Sequence, residues 1–419
     1  MQSIKAICQR LTHVEIYVIL IAVALSIASA RLLPVALAII LLFGLIRWLA
    51  NGRLTQRTPL DLPIVGLIAL LIMTAWLSPR PDLPLPQIMR TLNGIGLYYA
   101  LINSPLSAQR VANGFLLMGL ALALMSPFVV EWFPGAKLPF IPTWLYNFPK
   151  IVSNTVNPNP LATLIIMIFA LGAGIISQKT ALSWRSPMFI LSVITLVLLA
   201  LNLFISQSRG GLIAFATVLF SLGVLMWRRV RWLMLLAVLI ASLGIWRFNL
   251  MPDLFARTAQ GGPSTLQIRL IHWTRAIELI QQSPVTGIGM GVYPELVDRG
   301  PRGVTGLTVV ERAHAHNMLL QIALDLGLPG LILWLGLFII IIILLVRSLG
   351  NLPAPHFLRG AALGLIAAQL GMLVANLFDS SLWGVVRSAP FLWAMWALAI
   401  MVYCESSKCH HKVSTSHHP

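Results

Sequence analysis

The sequence predicts an all-α polytopic membrane protein with about twelve transmembrane helices and a helical outer loop domain between the ninth and tenth. Three observations predict it. Of 419 residues, 58% are hydrophobic and only 10% charged, whereas soluble domains are roughly a quarter charged. Apolar runs near the length of a span, about 20 residues, recur along the whole chain. Short segments rich in Lys and Arg alternate with those runs. This composition excludes disorder and an ordinary cytosolic enzyme. A formal charge of +17 would otherwise point to nucleic acid, but most of the chain has no solvated surface on which cations could cluster. No nucleic-acid partner is expected. Cys8, Cys404 and Cys409 are too few and too terminal for a disulfide framework.

In order, the predicted spans lie at 14–30, 32–50, 60–78, 87–103, 112–130, 160–177, 187–206, 210–227, 230–248, 328–347, 357–378 and 388–404. The first two are joined by a tight turn at Arg31–Pro34, and the fourth carries Arg90, Thr91 and Asn93. The first run continues straight into the second, so no cleavable signal is expected. With the N-terminus inside, the inner side gathers fifteen cations and three acids, and the outer side the other fourteen cations and nine acids. Every inner loop is then short and basic, "WRRVRW" at 227–232 most clearly, and both termini are cytoplasmic. Three regions follow: a transmembrane region at 1–248 with an outer loop at 131–159, an outer loop with amphipathic helices at 249–327, and the last three spans with a cytoplasmic tail at 328–419.

The second outer loop is too long to be structureless. Within "STLQIRLIHWTRAIELIQQS" at 264–283, Leu266, Leu270, Trp273, Ile277 and Ile280 share one helical face, while Arg269, His272 and Ala276 lie on another. Ser264 is placed to cap this helix and Pro284 follows it. It reads as an amphipathic helix at the outer membrane surface, in contact with lipid. A shorter helix is expected over His316–Leu326, with Gly327 and Pro329 before the next span.

Charged groups at span ends point to function. Arg209 in "SQSRGG" reads either as an interfacial anchor or as an anion clamp whose guanidinium holds phosphate. Arg269 and Arg275, beside His272 and Trp273, read either as a basic face against headgroups or as phosphate contacts. "GIGMGVYP" at 287–294 resembles a nucleotide loop only in its glycines. It follows an amphipathic helix rather than a strand, so it reads as a turn. In "ERAHAHN" at 311–317, His314 and His316 share a face only if the segment is extended. Metal pairs on helices prefer i,i+4 spacing, and no Cys or acid cluster is expected to complete a set, so no metal site is predicted. A neutral His at an anion-rich site suits general-base work. His410, His411, His417 and His418 read as a polar tail. No Walker loop and no close acid pair is evident. Such a site suits metal-independent handling of phosphate, with no cofactor.

At these residues the chain resembles the O-antigen ligases, with the related O-antigen polymerases and protein-targeting oligosaccharyltransferases that share the Wzy-C region. The resembling stretch runs from about 200 to 335. It holds "SQSRGG", then Arg269, Trp273 and Ala276 as R-x3-W-x2-A, then Pro284 to Tyr293, then "HAHNMLLQIALDLGLPG" from His314 to Gly330. The resemblance implies a GT-C-like lipid-linked glycosyltransferase of the bacterial inner membrane, with a periplasmic site. Its donor would be an undecaprenyl-diphosphate-linked glycan and its acceptor a sugar hydroxyl of lipid A–core. It implies His316 as the base, with His314 the second candidate in the motif, and Arg209 and Arg269 on the diphosphate. Arg275 is a further diphosphate candidate, and Trp273, Tyr293 and Asn317 are candidate sugar or lipid contacts. A single displacement without an enzyme nucleophile would invert the anomeric centre. A polymerase or protein O-oligosaccharyltransferase is the alternative within this chemistry, and a secondary transporter or flippase the alternative outside it.

Overall fold

The computed structural model describes residues 2–78, 80, 82–130, 149–150, 158–178, 185–206, 208–227, 231–234, 236, 265–299, 313–384 and 388–415. These residues form helices α1 (Gln2–Ala28), α2 (Leu33–Asn51), α3 (Asp61–Leu77), α4 (Leu85–Asn103), α5 (Ala108–Val129), α6 (Pro158–Ile176), α7 (Pro187–Ser206) and α8 (Arg209–Met226). There follow α9 (Thr265–Gln282), a single turn α10 (Tyr293–Leu296), α11 (Met318–Asn351), α12 (Phe357–Asn376) and α13 (Ala389–Thr415). Among the described residues, nine helices are long and apolar enough to cross a membrane: α1, α2, α5–α8 and α11–α13. The protein is therefore all-α and multi-spanning. Of the other predicted spans, the third is α3, apolar but only 17 residues long. The fourth is α4, whose Arg90, Thr91 and Asn93 are buried against protein. The ninth, at 230–248, lies largely outside the described residues, as do 131–148 and 249–264.

Burial separates the helices by role. α12 and α13 are mostly buried, whereas α1, α2 and α7 turn Leu, Ile and Val side chains outward, as lipid-facing helices do. α6 and α12 approach most closely at Gly174, Gly360 and Gly364, where a Cβ would overlap the facing backbone. Small residues let helix backbones meet without a hydrophobic driving force from water. Trp334 of α11 packs edge to face on Trp383 and on Trp393 of α13, Trp393 edge to face on Trp396, and Trp334 tilted on Trp396, with centroids 4.8–6.0 Å apart.

α11 breaks at Gly327, whose φ of 71° and ψ of −176° belong to a region essentially restricted to glycine. The break is where residues 284–288 dock: Leu328 N donates to Pro284 O at 2.8 Å, and Ile288 N to Leu324 O at 2.7 Å. A Cβ on Gly327 would overlap the carbonyl of Val285. Gly327→Ala is therefore expected to destabilise the protein by about 1–3 kcal/mol from backbone strain alone. A lowered thermal unfolding midpoint in detergent would register it.

Candidate active site

The site gathers at one end of the bundle, from the start of α8, from α9, from the turn before α11 and from the turn after α12. α9 presents two faces. Leu270, Ile271 and Ile277 are exposed, while His272, Arg275, Ala276 and Leu279 are buried. The face with Arg269, His272 and Ala276 thus packs against protein rather than lying as a solvated basic strip. Ala276, Leu279, Tyr293, Ala315 and Leu324 form the small apolar cluster that anchors it.

The two histidines sit on a bend before α11 rather than on a helix. The expected helix start at His316 is corrected to Met318. Asn317 is the N-cap, its Oδ1 accepting from Leu319 N at 3.0 Å and Leu320 N at 3.1 Å, as capping requires. His316 is the only non-glycine residue with positive φ (49°) among the described residues, and His is among the residue types that tolerate it. The imidazoles of His314 and His316 lie with ring centroids 4.3 Å apart. Between them, Ala315 N donates to Gln321 Oε1 at 2.9 Å. Gln321 Nε2 in turn donates to Asp325 at 2.9 Å, and Trp383 Nε1 to the same carboxylate at 2.7 Å. The buried Asp325 thereby ties the histidine turn to the turn after α12.

That second turn brings Phe378 and Asp379. Asp379 Oδ1 lies 3.5 Å from His314 Nε2 and accepts from Ser380 N at 2.8 Å. The Arg269 guanidinium stands 5.9 Å above the Phe378 ring. On the other side, a Cβ on Gly210 would come within 3.2 Å of Phe378 Cβ, so the first turn of α8, with the exposed Arg209, meets the same wall. The charges of Asp379 and Arg209 both act on Arg269. Arg209, Arg269, His314 and His316 are thus brought together around Phe378 and Asp379.

Burial sets the electrostatics. Desolvation pushes His314 and His316 below the usual histidine range, and the neighbouring Arg269 pushes the same way against Asp379. Both imidazoles are therefore neutral at pH 7. Desolvation also lowers Arg269, but an arginine keeps its charge. His314 Nδ1 accepts from His316 N at 3.1 Å. Its proton accordingly sits on Nε2, facing Asp379. His272, fully buried, shares a 2.8 Å hydrogen bond through Nδ1 with Tyr293 Oη, and its ring centroid lies 5.3 Å from that of His316.

Several sequence expectations change here. Tyr293 is fully buried against His272, so it cannot stack on a sugar; burial also raises its phenol well above the usual range. Asn317 is used as a cap, and its Nδ2 donates to Leu377 O at 3.1 Å, which removes it as a sugar contact. Arg275 is bonded away from Arg269, to Glu278 at 3.2 Å and to the carbonyls of Leu296 and Arg299. It braces α9 against α10 rather than facing an anion. Trp273 remains near the site, 6.5 Å from Phe378, with an indole N–H that has no partner among the described residues. The expectation that no acid joins the histidine pair is corrected. Asp379 does so, and its oxygen and the two imidazole nitrogens lie within 4.8 Å of one another, a set able to accept a divalent ion. The sequence puts Asp379 with Arg387 on the last outer turn, either lining the cavity or pairing, but Asp379 lies more than sixty residues beyond the histidines and no local pattern links it to them. Phe378 and the supporting role of His272 were equally invisible.

A multi-spanning α-helical membrane protein with a paired Arg–His site at one end of its bundle is the class these features define. Residues 194–335 match the family model of the O-antigen ligase domain. That domain contains Arg209, Arg269, His272, His314 and His316, whereas Phe378 and Asp379 lie beyond it. No curated protein matches the chain.

Proposed function

We propose that the chain is an O-antigen ligase that transfers a glycan from undecaprenyl diphosphate to a sugar hydroxyl of lipid A–core, at the periplasmic face of the bacterial inner membrane with both termini cytoplasmic. The observation that carries this is the placing of two arginines and two neutral imidazoles around one wall, Phe378 and Asp379. Residues 249–327 then form the periplasmic loop between transmembrane regions 1–248 and 328–419, in a GT-C-like arrangement.

The bond to break joins a sugar to diphosphate, a good leaving group, so no nucleotide is needed. Arg209 and Arg269 hold the diphosphate and neutralise the charge that grows as it leaves. The acceptor hydroxyl loses its proton to an imidazole as it attacks the anomeric carbon. The acceptor nitrogen of His314 is occupied by the His316 amide, so His316 is the base and the His314–Asp379 pair holds it in place. Nothing on the enzyme is alkylated, and the anomeric centre inverts. Trp273 is the remaining aromatic contact for substrate. The Arg269 guanidinium, which acts on Asp379 and on both histidines, disfavours a divalent cation there, so the reaction is expected to proceed without metal or cofactor.

Purified protein in nanodiscs, given lipid-linked donor and lipid A–core, tests the reading. Product of core bearing glycan, formed equally in EDTA, is expected. Elongated lipid-linked glycan instead would indicate a polymerase, and glycan on protein a protein transferase. The depressed imidazoles also set a pH profile. The neutral base persists below the ordinary histidine pKa of about 6.5, so kcat is expected to stay level between about pH 5.5 and 8. An acid limb near 6.5 would count against His316 as the buried base.

A further inference from the structure

A cavity of about 340 Å³ lies beside the site, between the end of α3, the end of α9 and the glycine turn at 287–289. Its polar lining is Thr74, Ser78, Gln282, Ser283 and Thr286. It is separate from the arginine and histidine wall but mechanically joined to it, since Ile288 N donates to Leu324 O in the helix that follows His316. Gly287 and Gly289 have positive φ, which turns the backbone around its rim. A Cβ on Gly289 would come within 3.1 Å of Ser78 Oγ, so the turn sits close against the end of α3.

Thr74 is the telling residue. Threonines inside helices normally return their hydroxyl to a carbonyl one turn earlier, as Thr91, Thr195 and Thr217 do here at 3.1, 2.8 and 2.9 Å. Thr74 is 2% exposed, lines the cavity, and its hydroxyl has no hydrogen-bond partner among the described residues. A buried hydroxyl without a partner is destabilising, and a ligand that supplies the partner removes that penalty.

We propose that this cavity is a glycan subsite, taking an uncharged sugar unit through Thr74 and the neighbouring hydroxyls and carboxamide. The lining selects the chemistry. Among the described residues no charged side chain borders the cavity, so they offer neither a cation for phosphate nor carboxylates for a metal. The Ser78 and Thr286 hydroxyls already donate to Arg80 O and Gly287 O, but an acyl chain would leave the Thr74 hydroxyl unmet. A sugar presents uncharged donors and acceptors at matching density, and the volume lies within the roughly 300–1,000 Å³ of ligand pockets. The inference rests on the ligase reading for its substrate class. Either the donor glycan or the acceptor's sugar has this chemistry.

Two variants of the full-length protein test it. Thr74→Val keeps the shape and removes the hydroxyl, and Ser283→Phe fills the cavity. Thr74→Val is expected to raise KM for one glycan substrate by about 2–10-fold, the worth of one hydrogen bond, with kcat unchanged and a melting temperature equal to or above wild type. A purely structural threonine would not combine raised stability with weakened substrate. Ser283→Phe is expected to raise the same KM by more than about tenfold, a change of about 1.4 kcal/mol, while undecaprenyl diphosphate without sugar inhibits as it does wild type. A rise for donor alone assigns the subsite to the donor glycan, and a rise for lipid A–core alone to the acceptor. Unchanged KM for both substrates in both variants overturns the proposal, as does parallel weakening of bare undecaprenyl diphosphate. If wild type makes no product with any acceptor, the ligase reading fails instead. The subsite is then read from equilibrium binding of glycan released from the donor. Loss of that binding in Ser283→Phe supports it; binding equal to wild type, or none in wild type, overturns it.

Discussion

His316→Asn is expected to abolish glycan transfer, lowering kcat by about 10²–10⁴-fold, the usual worth of a general base, with KM for the donor little changed. Asparagine is the chosen replacement because the position has φ 49°, which Asn adopts readily and Ala does not. A loss seen with Ala alone would confound chemistry with backbone strain. His314→Asn is the companion variant. His314 gives its acceptor nitrogen to the His316 amide and its other nitrogen to Asp379, so its loss is expected to slow turnover less than loss of His316. Equal protein in the membrane and equal melting temperature are the controls. Turnover within threefold of wild type in His316→Asn would remove His316 as the base.

Arg269→Ala is expected to lower kcat/KM by about 10²–10³-fold, as loss of one preorganised charge partner does at a developing anion. Arg269→Lys is expected to recover only part of this, because a point charge does not reproduce the planar fork that grips two phosphate oxygens. Arg209→Ala is expected to act in the same direction. The two are expected to be non-additive, because the proposed mechanism sets both on one anion and the charge of Arg209 already acts on Arg269. Strict additivity in the double variant would place them on separate ligands. Arg275→Ala is the contrast. Its guanidinium braces α9 through Leu296 and Arg299, so its effect is expected on melting temperature before turnover.

Much of this was legible in the chain. Span length and hydropathy mark α1, α2, α5–α8 and α11–α13 because lipid forces each backbone to satisfy its own hydrogen bonds within a helix. Gly327 and Pro329 mark the break before the long span, and "HAHN" marks the histidine pair, though not the turn it sits on or the Asn317 cap. α4 was legible as a helix but not in its surroundings, since the partner of Arg90 at 3.2 Å is the carbonyl of Gly384, almost 300 residues away. Arg275 and Tyr293 looked like ligand contacts because type and spacing carry no record of which way a side chain is bonded.

The sequence by itself determined an all-helical membrane chain, the grouping of arginines and histidines in one stretch, and the absence of a nucleotide loop. Those are properties of composition and of local spacing, fixed by the bilayer and by helix periodicity. Only the tertiary structure decided that Asp379 faces His314, that Phe378 joins α8 to α9, that Arg275 is a brace, and that Thr74 lines a cavity with its hydroxyl unmet among the described residues. Each depends on contacts between distant segments. Burial and electrostatics act through space, so the state of the two imidazoles is a property of what packs around them and not of the motif that contains them.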